Sequence, residues 1–115
     1  GRGIVDAFLR VGAQVAYADV QEIGDTLGFP PEAEGAAEPG QGSAAAHFLK
    51  CDVGEPDEVT EAVAEALRLM GGLDVLVNNV GLHVEPGKPC HEATLEAWDR
   101  MMAVNLRSYF LFSKY

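Results

Sequence analysis

Asn78-Asn79-Val80-Gly81 is the stretch whose residue types best fit chemistry, because it directly follows the apolar run Leu73-Asp74-Val75-Leu76-Val77. Carboxamides donate and accept hydrogen bonds at once, and glycine lets a backbone approach a bound molecule closely. A branched apolar run of this length reads as a buried parallel strand, and the carboxyl ends of such strands are where open α/β sheets hold ligands. Two acids occupy comparable places. Asp19 ends an apolar run about 20 residues after the glycines of Gly1-Arg2-Gly3, the separation at which an acid meets a ribose in dinucleotide-binding folds. Asp52 ends the next run, where a carboxylate can accept an adenine amino group or equally cap a helix. Gly1-Arg2-Gly3 opens a helix whose free N–H groups suit phosphate.

A carboxylate at Asp19 takes both ribose hydroxyls but repels an additional phosphate, and Val20 offers no compensating charge. NAD is therefore favoured over NADP. His83, Cys90 and His91 share one loop, yet their spacing fits no structural zinc pattern, so no metal is expected.

The elements that position these residues alternate. Ile4, Val5, Phe8, Leu9 and Val11 recur at helical spacing up to Gly12, and Gln14–Asp19 alternates as a strand. A short helix over 21–27 and a proline-rich acidic surface loop over 28–45 follow. The spacing then predicts a strand over Ala46–Cys51 and a helix starting near Pro56 and stopped by Gly71-Gly72. A strand over Leu73–Val77 comes next, and a long last helix begins at Leu95, capped by Thr94. On that helix Trp98, Met101, Met102, Leu106, Tyr109 and Phe110 form a broad apolar face, read first as core and second as a subunit contact. Alternation of this kind implies a doubly wound parallel sheet.

The chain has 115 residues, 48% of them hydrophobic, and a formal net charge of −10. Residues 1–80 carry 14 acids against 4 bases, and residues 81–115 carry 4 of each. That surface repels phosphate backbones and anionic membranes, so neither nucleic acid nor membrane is expected as a partner. Two distant cysteines, Cys51 and Cys90, and no leader pattern suggest a reduced cytoplasmic protein. The absence of a starting methionine and an aromatic-rich end with no helix stop suggest a fragment.

Taken together, these motifs resemble the short-chain dehydrogenase/reductase family over essentially the whole chain. Gly1-Arg2-Gly3-Ile4-Val5 looks like the end of the family's glycine-rich turn, Asp19 like its ribose-binding acid, and Asp52-Val53 like its adenine-binding pair. Asn78-Asn79-Val80-Gly81 is similar to its Asn-Asn-Ala-Gly motif, and Asn105 in Val104-Asn105-Leu106 to the helix asparagine of its Asn-Ser-Tyr-Lys tetrad. The resemblance implies a Rossmann domain over 1–115 that lacks its first strand and its C-terminal half. It implies cofactor contacts at Gly1, Asp19, Asp52, Val53, Asn79, Val80 and Gly81, with Asn105 holding a water in the proton relay. It implies an NAD-dependent oxidoreductase moving a hydride between nicotinamide and a secondary alcohol or ketone, acting as a homo-oligomer. Tyr109 and Lys114 are five apart, not the family's four, so they are not its catalytic pair; the fragment alone should be inactive, and aggregated or molten. Two other readings are a non-catalytic dinucleotide sensor of the same fold and an S-adenosylmethionine-dependent methyltransferase.

Overall fold

The computed structural model describes residues 1–21 and 45–115, so the helix expected over 21–27 and nearly all of the acidic loop fall outside the described residues. Helix α1 (Arg2–Arg10) leads through Gly12, whose φ of 85° suits glycine, into strand β1 (Gln14–Asp19). Strand β2 (Ala45–Lys50) lies parallel to β1, with Gln14 opposite Ala45 and Asp19 opposite Lys50. It starts one residue earlier than expected, so Ala45 belongs to the sheet and not to the loop.

Side chains alternate across this pair as a pleated sheet requires. Tyr17 and Phe48 sit opposite each other on one face, ring centroids 5.6 Å apart. Ala18 and Leu49 point to the other face and pack against the main core. That core joins Cys51, Val53, Val59, Ala62, Val104 and Leu111. Helix α2 (Pro56–Met70) brings Val59 and Ala62 to it. Pro56 stands at the first helical position, where its missing N–H costs nothing, and Gly71 closes the helix at φ 74°.

Helix α3 (Leu95–Met102) is capped as the sequence predicts: Thr94 Oγ1 accepts the Ala97 N–H at 3.1 Å. It then widens into a π turn over Ala103–Arg107 before continuing as α4 (Ser108–Lys114), which packs on α2. The buried Ser108 hydroxyl donates to the Val104 carbonyl at 2.5 Å, which makes it admissible in the core.

One expected element does not form. Leu73–Val77 takes no place in a sheet: the described sheet has two strands, and Leu73, Val75, Leu76 and Val77 are 39–56% exposed. A run of buried-strand composition becomes a strand only when a neighbour supplies ladder hydrogen bonds, and no described strand lies beside it. The apolar face expected on the last helix is also corrected. Ala97, Ala103, Val104 and Leu111 fill the core, whereas Trp98, Leu106 and Phe110 are more than half exposed.

Candidate functional site

Asp19 and Asp52 come together because they follow neighbouring parallel strands. The Cys51 N–H donates to the Asp19 carbonyl at 2.9 Å, so the ladder extends to the base of Asp52. Both carboxylates thus stand at the carboxyl edge of the sheet, where doubly wound folds place their ligands. The Asp19 carboxylate accepts the Gln21 N–H at 3.2 Å, and neither Val20 nor Gln21 brings a cation to it.

Asp52 is not the helix cap that its setting allowed; that position belongs to Glu55. Instead Asp52 Oδ1 accepts the Gly54 N–H at 2.9 Å, an Asx turn, while Oδ2 accepts from Arg100 Nη2 at 2.6 Å. The guanidinium, followed by the Gly54 N–H, holds the Asp52 carboxyl below its ordinary value of 3.8 against a partial opposing effect of burial. Arg107 donates to the Gly54 carbonyl at 2.7 Å, so two arginines from one helix grip this turn. Val53 is buried beneath it. Burial, aided by Glu58 and Asp52, pushes the neighbouring Cys51 thiol up to about 11, which leaves it protonated and unreactive.

Gly1 caps α1, and a Cβ placed there would lie 3.7 Å from Asn79 Nδ2. The start of the first helix and the carboxamide motif are therefore neighbours, though they stand 78 positions apart in the sequence. The motif's far end is fastened to the last helix. Asn105 and Leu82 exchange two hydrogen bonds, and one turn on, Tyr109 Oη donates to the Val80 carbonyl at 2.7 Å. Gly81 lies between these two fixed points. Asn105 itself is in the π turn, a wide turn that often marks functional positions.

Sequence reasoning did not find Arg100, Arg107 or the role of Tyr109. The signal for Tyr109 was present, since a residue four after Asn105 shares its helix face. Arg100 and Arg107 meet the Asp52 turn across about 50 residues, a contact that no local spacing encodes. His83, Cys90 and His91 do not converge: among the described residues no group of three or more such side chains could hold a metal ion. No described helix is long and apolar enough to cross a membrane.

Parallel strands alternating with helices, with polar groups gathered at the sheet's carboxyl edge, define a doubly wound α/β protein. A family model described as enoyl-(acyl carrier protein) reductase matches residues 1–115, and the chain belongs to the short-chain dehydrogenase/reductase family. It is 34% identical over 115 residues to 2,5-dichloro-2,5-cyclohexadiene-1,4-diol dehydrogenase of Sphingobium indicum, covering 100% of this chain and 42% of that relative. It is 37% identical over 108 residues to momilactone A synthase of Oryza sativa subsp. japonica, covering 94% of this chain and 36% of that relative. The chain thus spans about two-fifths of the length of the curated relatives it matches. Among solved structures, 3-ketoacyl-(acyl-carrier-protein) reductase from Brucella melitensis complexed with NADH superposes with a TM-score of 0.75 at 28% identity, covering 99% of this chain and 43% of that one. A metagenomic short-chain oxidoreductase in complex with NADP superposes at 0.73 and 25% identity, covering 99% and 48%. Oxidoreductases with nicotinamide cofactors are thus this chain's relatives.

Proposed function

We propose that the protein carrying this chain is a cytoplasmic, NAD-dependent oxidoreductase acting on the CH–OH group of a small secondary alcohol, or on the corresponding ketone. The observation that carries this reading is the pairing of Asp19 and Asp52 at the ends of adjacent parallel strands, joined by the Cys51 to Asp19 hydrogen bond. When bound, NAD supplies the hydride acceptor or donor. This chain's residues bind and orient it. Asp19 accepts the ribose hydroxyls, Asp52 and the buried Val53 border the adenine, and the helix start at Gly1 faces the phosphates. Asn79 fixes the chain around the cofactor, and the Val80 and Gly81 backbone passes the adenosine ribose.

Gly1 supports the fit, since its missing side chain leaves room beside Asn79. The absence of a cation at Val20 and Gln21 favours NAD over NADP. Asn105 spends its amide on Leu82, so we assign the relay water to the main chain of the π turn in which Asn105 stands. The exposed face of Trp98, Leu106 and Phe110 suits a contact with a second copy.

Calorimetric titration of the intact protein with NAD, NADP and S-adenosylmethionine tests the reading. NAD should bind, NADP should bind roughly tenfold more weakly or worse, and Asp19→Ser should narrow that gap by removing the repelling charge. Binding of S-adenosylmethionine without either dinucleotide would overturn it.

A further inference from the structure

Both oxygens of the Asp52 carboxylate are held, each from a different part of the chain. Arg100 Nη2 holds Oδ2 at 2.6 Å and the Gly54 N–H holds Oδ1 at 2.9 Å. The same guanidinium lies 4.0 Å from Glu55. Gly54 is packed so tightly that a Cβ would collide with Arg100 Nη1 and stand 3.2 Å from Asp52 Oδ1. Arg107 holds the other side of this glycine through its carbonyl. Each carboxylate oxygen still has a second lone pair, and a carboxylate is an acceptor only. Arg100 and Asp52 are partly exposed, at 38% and 27% of their side chains, so a ligand can reach the pair.

We propose that Arg100 is a specificity-determining positioning residue, which fixes the Asp52 carboxylate as an acceptor for the exocyclic amino group of adenine and so makes the site reject a 6-oxo purine. The proposal rests on the dinucleotide reading above. An amino group at the purine 6-position donates to the free lone pairs. A 6-oxo group would oppose acceptor to acceptor and leave the carboxylate unsatisfied. Without Arg100 only the Gly54 N–H restrains the carboxylate, which can then turn about that bond, and the two purines become more alike to it. A purely structural staple would behave differently, because loosening the turn would weaken both ligands in proportion.

The experiment titrates the intact protein with NAD and with nicotinamide hypoxanthine dinucleotide, which carries the 6-oxo base. The wild-type protein should bind NAD roughly tenfold more tightly than the analogue. Arg100→Gln should close most of that gap. Gly54→Ala, which displaces the guanidinium while keeping the arginine, serves as the second variant and should narrow the gap too; a thermal melt shows which of the two is folded. Equal weakening of both ligands, or an unchanged gap in whichever variant folds, would overturn the proposal. Equal affinity of the wild-type protein for the two dinucleotides would also overturn it while leaving the functional reading intact. Binding of neither removes both.

Discussion

Asn105 and Leu82 form a closed pair: the Asn105 Oδ1 accepts the Leu82 N–H and its Nδ2 donates to the Leu82 carbonyl, both at 2.7 Å. A side-chain amide used this way imitates a neighbouring strand, satisfying both backbone groups of one residue. Asn105→Leu should therefore cost about 2 kcal/mol in urea unfolding of the intact protein, because two partly buried backbone groups lose their partners. Asn105→Asp should cost a similar amount, since a carboxylate cannot donate to the carbonyl. A loss below about 0.5 kcal/mol in both would show that water replaces the amide at no penalty.

Acid should expose the Asp52 grip. Its folded-state titration lies below the ordinary 3.8, so the unfolded chain binds the proton first. The stabilisation is fully present above pH 3.8 and is lost as pH falls through the lower folded value. Melting temperature followed downward from pH 5 should drop more steeply in the wild-type protein than in Asp52→Asn. Parallel curves would mean that the ion pair adds nothing to stability.

Glu85 adopts a φ of 58°, and it is the described non-glycine residue with positive φ. Its carboxylate contacts Lys88 Nζ and accepts the Thr94 N–H at 3.1 Å, tying the loop after the carboxamide motif to the start of α3. Backbone strain is thus held in place by side-chain bonds. Glu85→Ala keeps the strain and loses the bonds, whereas Glu85→Gly loses both. The glycine variant should be more stable than the alanine variant in urea unfolding, by about 1 kcal/mol. The reverse order would show that the left-handed turn is not strained.

Residues 1–115 produced alone should aggregate or give a broad thermal transition, because Leu73, Val75, Leu76 and Val77 present apolar surface and unpaired backbone. A sharp, concentration-independent melt would contradict this.

What was legible in the sequence follows the range of each interaction. Strand Gln14–Asp19, the Pro56 start and Gly71 end of α2, and the Thr94 cap rest on neighbours within a turn, and all are found where expected. Leu73–Val77 carries the composition of a strand, but strandhood depends on a partner that composition does not name. The site divides the same way. Asp19 and Asp52 stand at or just after strand ends as expected, because strand ends can be read locally. Arg100 was not, because its partner lies 48 residues away. Trp98 and Phe110 read as core from spacing alone, since periodicity finds an apolar face without saying what covers it.

The π turn at Ala103–Arg107 acts as a phase adjuster in an otherwise continuous helical rod. Regular helix advances about 100° per residue, so a surplus residue rotates everything after it relative to everything before unless a wide turn absorbs it. Arg100 ahead of the turn is aimed at Asp52, while Tyr109 behind it is aimed at Val80. A residue deleted from within the turn would be absorbed as the turn tightens to regular helix, leaving Ser108 and Leu111 facing the core, whereas one deleted between the turn and Leu111 would turn Leu111 away. The irregular turn is thus the place where this rod accommodates a change of length, and the regular turns on either side are where it does not.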